Sequence, residues 1–160
     1  KKAALDYAIT GVNLRASGVD FDYRNSDNLY KGFDVGTVVL EEGDSFARYK
    51  ARILEIKESM KIVHQALEYI KTTGTLAQKL INPLTLKLPE GGYYADIEAP
   101  RGIASCFVLS NGEKCPYRLK WRTGSYYSVN LLRKLLKGEY LNDAIAIAGS
   151  LDIILPEVDK

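Results

Sequence analysis

From Phe46 to Ile70, apolar side chains recur in alternating steps of three and four: Phe46, Tyr49, Ile53, Ile56, Met60, Val63, Leu67 and Ile70. Such a series falls on one face only in a helix, so the spacing predicts one long helix through the middle of the chain. Asp44 or Ser45 can cap its start. Asp44–Arg48 and Glu58–Lys61 have the spacing of ion pairs on a wet face, each worth a few tenths of a kcal/mol. A stripe with this repeat serves either as the seam of a coiled-coil dimer or as the packed face of a long helix in a bundle. The flanking positions lack the regular opposite charges of a coiled coil, which favours the bundle. His64, beside the stripe, has no second imidazole to join it and reads as a boundary residue rather than a metal ligand.

The second strong pattern runs from Tyr93 to Arg122 and reads as strand, corner, strand, hairpin turn, strand. Its corner, Glu98-Ala99-Pro100-Arg101-Gly102, sets a carboxylate and a guanidinium on either side of a proline. Asn111-Gly112 between two apolar runs predicts a two-residue hairpin loop. That register puts Val108 opposite Cys115, Cys106 opposite Tyr117 and Arg101 opposite Arg122. The two cysteines become diagonal neighbours, too far apart for easy bridging, so free thiols are expected. The other face collects Arg101, Arg118, Lys120 and Arg122, with Asp96 and Glu98 as the nearest partners. It is either a solvated edge with scattered ion pairs or a surface that meets an anion or a protein.

Around these two patterns the signals are weaker. Residues 3–10 look like the end of a helix that Gly11 stops. Residues 21–36 carry loop chemistry without period. Gly74 and Pro83 punctuate a helical or irregular stretch. Ser125 opens a helix with Val129, Leu132 and Leu136 on one side and Gly138 as its stop, and Asn142 or Asp143 caps a short apolar one. The last residues, Leu151 to Lys160, are too apolar for a frayed tail and are predicted to be docked. Together these elements make an α+β fold, long helices packed with a small antiparallel sheet.

At 160 residues the chain fits one domain or a piece of a larger one. A chain of this size can bury about 70% of its unfolded surface without disulfides or metal. It begins at Lys1 in mid-pattern and is expected to be a fragment or processed product. Twenty-two Lys and Arg against twenty Asp and Glu leave a charge of +2, without the clear basic excess expected of a nucleic-acid binder. No apolar run approaches the ~20 residues that cross a bilayer, so membrane contact is expected to be peripheral. Two cysteines and one histidine form no CxxC pair and no zinc pattern. There is no phosphate-cradling glycine loop, and no serine sits in an elbow that His64 could serve. Pairs such as Asp20/Asp22 and Glu157/Asp159 read as ordinary turn and tail carboxylates.

Five segments occur in a telling order: LRASGVDFDYR (14–24), GDSFARYKARILEIKESMKIVHQAL (43–67), IEAPRG (97–102), SNGEKCPYRLKWR (110–122) and SLDIILPEVDK (150–160). Together they resemble the C-terminal part of the D subunit of respiratory complex I, NADH:quinone oxidoreductase, across nearly the whole chain. The E-x-P-R-G corner and hairpin also resemble the large subunit of [NiFe] hydrogenases, which implies a hydrogenase-like fold for residues 1–160 as one C-terminal fragment. Hydrogenases end in a nickel-binding CxxC. Here LDIILPEVDK stands in that place, so the resemblance implies no Ni–Fe centre, no metal site and no catalytic residue in this piece.

What the resemblance implies instead is a wall of a quinone chamber. Asp152 and Ile154 would line it, with Glu157, Asp159 and Lys160 anchoring the tail. Arg15, Asp22, Arg24, Glu98, Arg101 and Arg118 would form ion pairs within the old hydrogenase cavity. Quinone would be the substrate, with NADH and iron–sulfur clusters bound by partner subunits and none by this fragment. The implied partners are other complex I subunits, above all the one with the terminal iron–sulfur cluster and the membrane arm, in a proton-pumping assembly. Its place would be peripheral, on the cytoplasmic side of the plasma membrane or the matrix or stroma side of an organelle. The chain departs from the family at Lys160, where arginine is usual, and at Thr123-Gly124-Ser125. It is also shorter before IEAPRG. A membrane-bound hydrogenase-related complex, a deazaflavin-fed dehydrogenase and a helical dimerisation module stand as alternatives.

Overall fold

The computed structural model describes residues 1–74, 82 and 85–159. Most of the punctuated stretch between Gly74 and Pro83, and Lys160, lie outside these. Two short helices open the chain, α1 (Lys2–Asp6) and α2 (Val12–Arg15). Gly11 caps the start of α2 but does not end the helix before it, since α1 stops at Asp6 with Tyr7 as its cap. Its φ is +70°, and a Cβ there would lie 2.6 Å from the Cα of Gly102, so glycine lets two backbones meet. Residues 21–36 form the expected loop, with two single 3₁₀ turns started by Asp22 and Asp27 side chains that accept from Arg24 N and Leu29 N.

The long helix is α3 (Ser45–Thr73), capped by Asp44, whose Oδ1 accepts from Ala47 N at 2.7 Å. Glu58–Lys61 pairs at 2.6 Å, as its spacing predicts. Arg48 does not pair with Asp44. It donates to Ser150 Oγ, Ser45 Oγ and the Gly43 carbonyl instead. The apolar stripe does lie along one helix face, but that face is open: Phe46, Ile56, Met60 and Val63 are all more than half exposed. The face turned to the rest of the chain carries Ala47, Arg48 and Ala51. The two alanines are small enough to let α3 approach Val12 and Ala16 of the α2 turn closely. The bundle expected for the stripe is thus not formed by the described residues of this chain.

The sheet has three antiparallel strands in chain order, β1 (Gly91–Ala99), β2 (Gly102–Ser110) and β3 (Arg118–Arg122). The hairpin differs from expectation. Residues 111–117 form the connection, and Cys106 faces Trp121 rather than Tyr117, a slide of four residues. Pairing with β2 resumes only at Arg118, so Cys115, Pro116 and Tyr117 belong to the connection and not to the ladder. Asn111 and Gly112 still turn locally: Ser110 Oγ accepts from Gly112 N, and Asn111 Oδ1 from Glu113 N. Because four is an even number, the slide keeps Arg118, Lys120 and Arg122 on their predicted face. Both cysteines are free, with Cys115 exposed in the connection, so the diagonal pairing does not form. Arg101 lies in the β1–β2 corner, not across from Arg122.

Helices α4 (Gly124–Leu135), α5 (Leu141–Leu151) and the single turn α6 (Leu155–Val158) complete the fold. The buried side of α4 is Ser125, Ser128 and Leu131, one step round from the expected Val129, Leu132 and Leu136. Tyr140, not Asn142 or Asp143, occupies the cap position of α5. One core cluster joins Ala4, Ile9 and Leu14 to Leu131 of α4. The chain exposes 11322 Å², where a compact monomer of 17.8 kDa exposes about 8000 Å². It therefore falls short of the burial that its length permits, and the open α3 stripe is part of that exposed surface.

Gly124 marks the closest approach between α4 and the β1–β2 corner, since a Cβ there would run into the Arg101 carbonyl. Gly124→Ala is expected to cost about 1–3 kcal/mol through overpacking. Chemical denaturation measures this as a lower midpoint with an unchanged slope.

Candidate functional site

Arg15 ends α2 and is 2% exposed. Its guanidinium reaches three carboxylates from three different elements. Nε and Nη2 fork onto Glu55 of α3 at 2.6 and 3.1 Å. Nη1 donates to Glu98 Oε1 of β1 at 3.0 Å and lies 3.5 Å from Asp22 Oδ2. Asp22 is also held by a fork from Arg24, at 3.0 and 2.6 Å. Arg15, Arg24, Glu55 and Glu98 line a cavity of about 420 Å³ between α2, α3 and the β1–β2 corner, to which Arg52 and Asp152 also contribute.

Burial works against charge at every member, and partners decide the outcome. Asp22 resists ionisation through burial, but hydrogen bonds and charge from Arg24 and the charge of Arg15 outweigh it, so its pKa is lowered. Burial likewise opposes the charge of Arg15, while Glu55, Asp22 and Glu98 together raise its pKa. At Glu98 burial wins over Arg15, and the carboxyl is pushed up. Arg52 is pushed down, chiefly by burial.

The tail docks against this region through Arg101. Its Nε donates to the Asp152 carbonyl at 2.9 Å and lies 3.3 Å from Oδ2 of the same residue. Arg101 Nη1 meets Glu157 Oε1 at 3.4 Å. Glu157 Oε2 accepts from Ser125 Oγ at 2.6 Å, and its carbonyl accepts from Thr123. Ile154 N donates to Ser125 Oγ. Asn13 donates to the Leu151 carbonyl at 3.0 Å, above a Leu151 that is 1% exposed. Asp152 itself is left-handed, at φ 54°, so the chain turns sharply at the cavity wall.

Of the six residues expected to form ion pairs, Arg15, Asp22, Arg24 and Glu98 lie in one network and Arg101 meets the tail. Arg118 does not join them. It projects from β3 into a separate recess of about 500 Å³ with Lys120 and Arg122. Among the described residues Arg118 and Lys120 make no ion pair. Arg122 lies 4.3 Å over the Tyr127 ring and donates to the Ala8 carbonyl. Nor do Asp96 and Glu98 serve those cations, since Asp96 accepts from Tyr23 and Glu98 from Arg15. The Tyr23 phenol is pushed up to about 12 by that hydrogen bond. Glu157 anchors the tail, whereas the exposed Asp159 contributes only a backbone N–H to the Leu155 carbonyl. Sequence reasoning missed Glu55, Arg52 and Asn13. Ala47, Arg48, Ala51, Arg52 and Glu55 recur at helical spacing, and this small and charged stripe was the available signal. No group of three or more His, Cys, Asp or Glu among the described residues could hold a metal ion.

Removing Arg15 would leave three carboxylates facing one another in a buried site. Arg15→Ala is expected to cost about 3–5 kcal/mol, and Arg15→Lys to recover little of it, because an ammonium cannot fork. Equilibrium unfolding measures both. Asp22, with its lowered pKa, stabilises the fold above its unfolded value of 3.8. That contribution disappears as pH falls through its lower folded value, so an Asp22→Asn variant should lose the corresponding part of the acid dependence of stability.

All residues, 1–160, match the family model described as respiratory-chain NADH dehydrogenase, 49 Kd subunit. The D subunit of the NADH-quinone oxidoreductase of Geobacillus thermodenitrificans is 46% identical over 161 residues, covering 99% of this chain and 43% of that protein. Its counterpart in Bacillus cytotoxicus is 43% identical over 158 residues, covering 98% of this chain and 43% of that protein. Among solved structures, a chain of the membrane-bound sulfane sulfur reductase, an archaeal respiratory membrane complex, matches 98% of this chain and 43% of its own length, at 36% identity and a TM-score of 0.85. The chain spans less than half the length of the relatives it matches. It belongs to the family of the 49 kDa, or D, subunit of respiratory NADH-quinone oxidoreductases.

Proposed function

We propose that these residues form one wall of the quinone chamber in a proton-pumping NADH-quinone oxidoreductase, as the C-terminal part of a larger, hydrogenase-like subunit. The observation that carries this reading is the docking of the tail. Arg101 holds Asp152, which lines the same cavity as Arg15, Glu55 and Glu98. A chamber that receives a substrate from elsewhere needs such a wall, rigid and internally paired, with a few groups left facing inward.

In this reading Asp152 and Ile154 line the chamber, while Glu157 holds the tail. Arg15, Asp22, Arg24, Glu98 and Arg101 brace the wall rather than bind quinone. Electrons arrive through iron–sulfur clusters on neighbouring subunits, NADH is oxidised elsewhere in the complex, and this piece alone has no turnover. The open stripe on α3 and the excess of exposed surface support a chain that packs against further protein. No helix among the described residues is long and apolar enough to cross a membrane, which supports peripheral attachment through the complex, on the cytoplasmic or organelle-interior side. Identity is higher to the Geobacillus D subunit than to the sulfane sulfur reductase chain, 46% against 36%. That favours this reading over a hydrogenase-type complex, a deazaflavin-fed dehydrogenase or a helical dimer.

Substitution of Asp152 (to Asn) or Ile154 (to Ala) in the intact complex should change quinone reduction or inhibitor sensitivity by about tenfold, the equivalent of ~1.4 kcal/mol. Assembly should remain normal. Steady-state kinetics with quinone-site inhibitors measure this, and unchanged values in assembled variants would remove both residues from the chamber.

A further inference from the structure

The Arg15 network carries more carboxylate than cation. Arg15 and Arg24 face Asp22, Glu55 and Glu98, leaving one uncompensated negative charge in a site where all three acids are nearly buried, at 0, 12 and 7% side-chain exposure. The adjoining groups do not correct this. Arg52 on α3 and Asp152 after α5 line the same cavity with opposite charges, Arg101 on the β1–β2 corner is engaged by Asp152 and Glu157, and the Tyr30 phenol is neutral. One bound proton would balance the network, and the hydrogen bonds indicate where it resides.

Asp22 has both oxygens engaged by Arg24, and Glu55 has both engaged by Arg15. Glu98 uses only Oε1. Its Oε2 is buried, lacks any hydrogen-bond partner and belongs to a side chain that lines the cavity. An ionised Glu98 would strand a charged oxygen there, which costs more than leaving a neutral group unsatisfied. A protonated Glu98 keeps the Arg15 contact through Oε1 and turns Oε2 into a donor. That donor is satisfied only when an oxygen acceptor enters the cavity. Burial of the carboxyl also raises its pKa, in agreement with the geometry.

We propose that Glu98 is the proton-holding group of this cavity, carrying on Oε2 an exchangeable proton that it offers to a carbonyl or other oxygen acceptor bound there. The role requires only the network and the cavity, so it stands or falls separately from the identity of the chamber's substrate.

Infrared difference spectroscopy across a pH titration of the full-length subunit in its assembled complex tests this. A protonated-carboxyl C=O band is expected in the wild type, exchange-shifted in D2O, fading as pH rises and absent from Glu98→Gln. Glu98→Asp should retain a band at a moved position, which keeps the test open if the glutamine variant does not assemble. No protonated-carboxyl band in the wild type would overturn the proposal. So would a band unchanged in Glu98→Gln, or one unmoved in Glu98→Asp.

Discussion

The fork of Arg15 onto Glu55, with its third nitrogen on Glu98, joins the α2 turn, the long helix and the sheet at one buried point. None of these elements has a large apolar core to fix its position. The buried apolar contacts between α2 and α3 involve Val12, Ala16, Ala47 and Ala51, side chains too small to specify a crossing by shape alone. Directional, charge-assisted hydrogen bonds supply the missing geometry. Their net contribution to stability is modest, because removing these charges from water offsets most of what their attraction returns. What they fix is position, and a cavity wall requires position.

The same economy explains the inverted helix. α3 directs arginines and small residues inward and leaves its apolar stripe exposed, the reverse of a surface helix in a self-sufficient domain. Exposed apolar faces this long mark contact surfaces. The open stripe on α3 is such a face, while the other side of the helix is taken up by Arg48, Arg52 and Glu55. Family membership and the 43% span of its relatives agree with that picture.

Much of this was legible in the sequence, for definable reasons. The 46–70 periodicity specified a helix and its cap because both are local. It could not specify which face would be covered, since that depends on neighbours. The Asn-Gly signal placed a turn correctly but not the register, because a local turn does not set how many residues pass before pairing resumes, here at Arg118. Alternation survived the slide, so the side chains on each sheet face were right although their partners were wrong. The Arg15 network was half visible: LRASGVDFDYR and IEAPRG supplied four members by resemblance. Glu55 lay hidden in a helix whose louder signal was apolar, and only the fold brings it to Arg15 from a distant part of the chain.

The tail joins these parts to function. Arg101 clasps Asp152 and Glu157, and Ser125 and Thr123 close the same knot. If the chamber reading is right, a quinone bound in the complex must come within contact of this turn. A photoreactive quinone analogue, activated in the intact complex and mapped by mass spectrometry, tests that most directly. Label recovered on the segment spanning residues 151–155, and suppressed by excess quinone, is the expected result. Suppressible labelling confined to other segments, with this turn unmarked, would contradict the account.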